Sequence, residues 1–176
     1  RVAQLSNDPV TRGDCERASA EYQRAGALAD TIAAHGWAYA RIANCYFSSS
    51  QWYFADRAYL TSAMLTRDPA QRAIVGYGAA ACRFDAGAYV ACAGLLSDSA
   101  LAVSELTSGP AAALGRHADA RTAAAVTPGE RVATLAGLCA FALGEWAAAG
   151  SSLRQAASAT RDTMTRERVL GLVTFA

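Results

Sequence analysis

Residues able to exchange protons, attack electrophiles or hold metals are sparse in this chain. Its two histidines, His35 and His117, have no HxxxH or HExxH partner, and no GxSxG, GxxxxGK or EF-hand pattern occurs. All 16 basic residues are arginine. That excludes a phosphate-loop lysine, a Schiff-base lysine and a buried lysine base. Five cysteines, Cys15, Cys45, Cys82, Cys92 and Cys139, form no CxxC and no paired spacing. Scattered in this way they read as buried free thiols in a reducing compartment, not as a zinc or redox centre. Gly76-Tyr77-Gly78 resembles the start of a dinucleotide loop, but no strand precedes it and the third glycine is missing. Close helix packing is the expected reason for those glycines. The chemistry-bearing residues thus predict no enzyme, no cofactor and no metal, and attention moves to the elements that would carry them.

At 176 residues the chain is one domain's worth of sequence. Alanine supplies 44 residues, and it is both the best helix former and small enough for helices to approach closely. The net charge is +1, with 15 acids scattered among the arginines, so there is no basic stripe for a nucleic-acid backbone. No apolar run approaches the roughly 20 residues that span a bilayer. The expected setting is intracellular and reducing, with no nucleic-acid or membrane partner. The start at Arg1 and the apolar end at Val173-Thr174-Phe175-Ala176 suggest a fragment of a longer chain.

Four segments share one frame of small and bulky residues. They are Gly13, Cys15, Ala18, Tyr22, Ala25; Ser50, Trp52, Ala55, Tyr59, Ser62; Gly87, Tyr89, Cys92, Leu96, Ser99; and Gly144, Trp146, Ala149, Leu153, Ala156. Apolar and small positions 3 and 4 apart line one face of a helix and cannot be strands. The first three frames begin 37 residues apart and the fourth 57 later, as a surface insertion over 97–127 would produce. Each frame marks the second helix of a hairpin. First helices are expected near 29–48, 69–84 and 129–143, with Pro69 and Pro128 in first turns where a missing amide costs little. Another helix should begin near Asp162. The predicted fold is all-α, a right-handed solenoid of tetratricopeptide-like hairpins forming one domain over 1–176.

In such solenoids the first helices line the concave side. The register puts Trp37, Ala40, Asn44 and Phe47 there, then Ile74, Tyr77, Ala81 and Phe84, then Arg131, Thr134, Leu138 and Phe141. The candidate interaction surface is therefore Trp37, Asn44, Phe47, Ile74, Tyr77, Phe84, Arg131 and Phe141, able to hold an apolar helix or an extended peptide. Packing between neighbouring repeats is the alternative use of the same side chains.

Gly13-Asp14, Ala18, Tyr22 and Arg24, followed by Trp52, resemble the helical-repeat region of subunit one of the COP-nine signalosome. Gly76-Tyr77-Gly78-Ala79-Ala80, Ala88-Tyr89 and Leu95-Leu96 look like that family's next hairpin, and Thr127-Pro128 through Ala136-Gly137-Leu138-Cys139-Ala140 is the closest local match. Subunit seven of the proteasome lid shares the architecture. The resemblance implies a noncatalytic scaffold, partnered by signalosome subunits and cullin-ligase components, in a complex that removes a ubiquitin-like protein from cullins. It carries over no catalytic residue. The cytoplasmic and nuclear location expected of the chain goes with the resemblance. A free-standing peptide-binding repeat domain is the alternative that the residues themselves allow.

Overall fold

The computed structural model describes residues 12–28, 31–97, 128–160 and 163–174, all of them helix or the turns between helices. The helices are α1 (Arg12–Leu28), α2 (Ile32–Ser48), α3 (Trp52–Leu65), α4 (Pro69–Asp85), α5 (Tyr89–Ser97), α6 (Pro128–Ala142), α7 (Trp146–Ala159) and α8 (Thr163–Val173). The all-α expectation therefore holds among the described residues, and α4 and α6 each begin at the proline that marks their first turn. Each helix packs on its neighbour in the chain; α5 packs on α6, and α4 also touches α6. The expected insertion over 97–127 lies outside the described residues except for Ser97, the last residue of α5.

Three hairpin turns are built alike. Ser50, Gly87 and Gly144 take positive φ values of 58°, 77° and 75°. The amide of each donates to a carbonyl three residues back, Ser50 to Phe47, Gly87 to Phe84 and Gly144 to Phe141. The next amides, of Gln51, Ala88 and Glu145, reach back five residues to Tyr46, Arg83 and Ala140 at 2.9, 2.8 and 2.9 Å. This pair of bonds is the Schellman closure of a helix, which needs a left-handed residue. The small residue opening the frame is thus the turn residue itself. An aromatic pair then closes each turn edge to face: Phe47–Trp52 at 5.1 Å, Phe84–Tyr89 at 5.5 Å and Phe141–Trp146 at 5.1 Å between ring centroids. Trp146 remains half exposed. In the first unit Gly13 lies inside α1 and opens no turn.

The equivalence continues past the hairpins. Thr66 and Thr160, both buried, end α3 and α7 in extended backbone. Arg72 donates to the Thr66 carbonyl at 3.1 Å and Arg166 to the Thr160 carbonyl at 3.3 Å. Thus α8 follows α7 in the way that α4 follows α3.

Small residues set how closely the helices approach. Ala55, Cys92, Ala149 and Ala18, one per frame, are almost wholly buried. A Cβ on Gly78 would lie 2.6 Å from Cζ of Tyr59, and one on Gly137 would lie 2.7 Å from Cγ of Leu153, so both glycines serve helix contact. Across α2 and α3 the Ser62 hydroxyl donates to the Gly36 carbonyl at 2.6 Å, and the Tyr59 hydroxyl donates to Oδ1 of Asn44 at 2.6 Å. An Arg83–Asp56 ion pair at 3.1 Å ties α4 to α3.

The cysteines correct the sequence reading. Cys92 of α5 and Cys139 of α6 form a disulfide across a sequence separation of 47, while Cys45 and Cys82 are buried and lie outside that bond. No local spacing signals the bond because its two ends belong to different hairpins. It joins a position on the second helix of one hairpin to a position on the first helix of the next.

Candidate functional site

The eight residues assigned to a concave surface divide between packing and solvent. Ile74 is buried with Ala73 and Val132, and Tyr77 packs against both that group and the Cys92–Cys139 group. Burial pushes the Tyr77 phenol above its usual range, although Arg131 acts in the opposite direction. Phe84 packs beside the disulfide, Phe47 against the α2–α4 core, and Asn44 accepts the Tyr59 hydroxyl. Arg131 is half-buried. Trp37 and Phe141 reach solvent, with the Arg41 guanidinium 5.4 Å from the Trp37 ring centroid. Of the eight, Ile74 is buried, Trp37 and Phe141 are exposed, and the remaining five are partly buried against neighbouring helices.

A different group of side chains forms a continuous trough across α1, α2 and α3. One hollow of about 290 Å³ is lined by Tyr39, Ile42 and Tyr46 of α2 with Tyr53, Phe54 and Arg57 of α3. A second, of about 170 Å³, continues it towards Gly26 of α1 and His35, and the two share Gln23, Tyr39 and Ile42. Tyr39, Ile42 and Tyr46 are spaced 3 and 4 apart and share a helix face. Trp37 and Asn44 each stand two residues from a member of that set, about 200° round the helix, so the trough opens on the side of α2 opposite the expected surface.

The trough is aromatic and open. Tyr53 is 66% exposed and Phe54 53% exposed. Phe54 lies 5.5 Å from both Tyr46 and Tyr53, centroid to centroid. Arg57 stacks over Tyr53 at 5.8 Å and donates to its hydroxyl at 3.3 Å. Arg57 supplies the permanent charge among the lining residues, which include no acid. The signal available in the sequence was Trp52-Tyr53-Phe54. Successive helical residues point about 100° apart, so three adjacent aromatics cannot all be buried by one helix contact. Trp52 takes the inward place and leaves the other two at the surface.

Among the described residues no group of three or more His, Cys, Asp or Glu side chains could hold a metal ion. His35 is half-buried at the trough's end, and His117 lies outside the described residues. No described helix is long and apolar enough to cross a membrane. No family model, curated protein or solved structure matches this chain.

Proposed function

We propose that this chain is a noncatalytic protein-interaction module, a solenoid of tetratricopeptide-like hairpins that uses the α1–α3 trough to hold an extended segment of a partner protein. The observation that carries the reading is the aromatic wall in which the exposed Tyr53 and Phe54 stand beside Arg57 and the half-buried Tyr46. Hollows of this size and openness are small for enclosing a metabolite, whose pockets run to about 300–1,000 Å³ and cover most of the ligand. Aromatic rings and an arginine are the side chains that most often anchor a protein partner. With one cation and no acid in its lining, the trough is complementary to a segment that presents apolar side chains and an acidic residue. The single guanidinium suits an internal Asp or Glu.

The test is selection from a displayed random-peptide library on the full chain, followed by binding measurements on Arg57→Gln. The reading expects enriched peptides that combine aromatic or aliphatic residues with an acid and lose about tenfold in affinity on that substitution. Selected peptides indifferent to Arg57 would overturn it.

The narrower reading, a scaffold subunit of the COP-nine signalosome or of the proteasome lid acting in cytoplasm and nucleus, is supported by the ordered residue resemblance alone. A buried disulfide is uncommon in those reducing compartments. The interaction-module reading depends on neither the complex nor the compartment.

A further inference from the structure

The α5–α6 junction is unlike the other helix contacts. At nine residues, α5 is the shortest described helix, and Cys92 is its only buried residue. The corresponding positions of the other frames, Ala18, Ala55 and Ala149, lie on helices of 17, 14 and 14 residues. The helices carrying those positions have further buried anchors; α3 has Ala58, Tyr59 and Ser62 besides Ala55. The Cys92 sulfur is bonded to Cys139, whose surroundings are Ala80, Leu135, Tyr77, Phe84 and Leu96. A direct α4–α6 contact through Ile74 and Val132 supplements the junction. A short helix with one buried residue, flanked by the partly buried Ala93, Leu95 and Leu96, is thus the one held by a covalent bond, where α5 meets α6.

We propose that the Cys92–Cys139 disulfide is a redox-controlled clamp whose reduction releases α5 from the core and loosens the α5–α6 junction, leaving the α2–α3 and α6–α7 hairpins folded. The step is thiol–disulfide exchange with a dithiol reductant. A thiolate of the reductant attacks one protein sulfur and the S–S bond breaks, giving a mixed disulfide and one cysteine thiolate. The reductant's second thiol then displaces the other cysteine, so two electrons and two protons end on Cys92 and Cys139 while the reductant becomes a disulfide. Both sulfurs lie in side chains that are 0% exposed, so attack requires prior opening of α5. The buried Cys82 thiol is poorly suited to intercept the bond. Cys82 lies on α4 in the same hairpin as Cys92, its thiol pushed up to about 12 by burial and by Asp56 and Asp85. This clamp is independent of the trough and of what binds there.

The experiment uses the full chain purified without reductant, analysed by alkylation mass spectrometry and by amide hydrogen exchange with and without dithiothreitol. The expected results are a Cys92–Cys139 cross-linked peptide before reduction, and exchange in α5 about tenfold faster afterwards with α2, α3 and α7 unchanged. A Cys92→Ala/Cys139→Ala variant should exchange like the reduced protein and ignore dithiothreitol, while Cys45→Ala should respond as wild type does. Full alkylation of both cysteines before reduction would overturn the proposal. So would an α5 indifferent to the reductant, or faster exchange spread evenly over all helices, which describes a general staple. If the double variant fails to fold, the wild-type comparison with and without dithiothreitol still decides.

Discussion

Replacing Gly78 with alanine adds one methyl group to the middle of α4, and two effects of opposite sign compete. Alanine is favoured over glycine inside a helix by about 1 kcal/mol. Against that, the new Cβ would lie 2.6 Å from Cζ and 2.8 Å from both Cε atoms of Tyr59. Carbon atoms pack at about 3.5–4.0 Å, so the ring or the helix has to retreat by roughly an ångström. Tyr59 is 4% exposed and its hydroxyl is held by Asn44 at 2.6 Å, which fixes both ends of the ring. Overpacking of this kind costs about 1–3 kcal/mol, and here the upper end applies, giving a net loss of about 2 kcal/mol. Gly94, with nothing within 4 Å of its Cβ direction, is the control; Gly94→Ala should stabilise by about 0.5 kcal/mol. Urea unfolding followed by circular dichroism reads both. Tyr59→Leu, the residue found at the equivalent position Leu153, should relieve the clash and show coupling of about 1–2 kcal/mol in a double-mutant cycle. A neutral or stabilising Gly78→Ala with an unchanged m-value would refute the reasoning about helix approach.

Other outcomes follow from the same contacts. Ser50 has φ 58° where the equivalent turns use glycine, so Ser50→Gly should stabilise by about 1 kcal/mol in thermal or urea unfolding. Gly144→Ala, at φ 75°, should destabilise by a similar amount, about 1 kcal/mol. The Cys82 thiol, ordinarily near 9, is held up at about 12 in the folded chain. The unfolded chain therefore loses this proton first, and stability present below pH 9 falls as pH rises towards 12, at about 1.4 kcal/mol per pH unit. Burial raises Tyr59 and Tyr77 in the same direction, so Cys82→Ala should reduce the slope of stability against pH without abolishing it.

The helices were legible because their signals are local. Pro69 and Pro128 open α4 and α6, and the small residue at the head of the frame opens three turns because the chain reverses there through left-handed backbone. The buried Ala55, Ala149 and Leu153 also follow directly from helical spacing. Two features depended on how different helices meet, which spacing within one helix does not encode. The disulfide links separate hairpins, and a search for paired cysteines close in sequence passes over it. The trough arises because Tyr39 and Tyr46 of α2 face Tyr53 and Phe54 of α3 on the side away from Trp37 and Asn44. On the inward face assigned from the register, Ile74 is buried and Tyr77 packs against two core groups, a sharing between helices that spacing within one helix does not encode.

The most direct test of the interaction-module account is the affinity of one library-selected peptide for four proteins: wild type, Phe54→Ala, Trp37→Ala and Phe141→Ala. All three replaced aromatics reach solvent, so the substitutions leave the core in place. The account predicts a loss of about tenfold or more for Phe54→Ala and little change for the other two. Loss of binding with Trp37→Ala or Phe141→Ala, and none with Phe54→Ala, would contradict it and move the interface to the opposite face of the array.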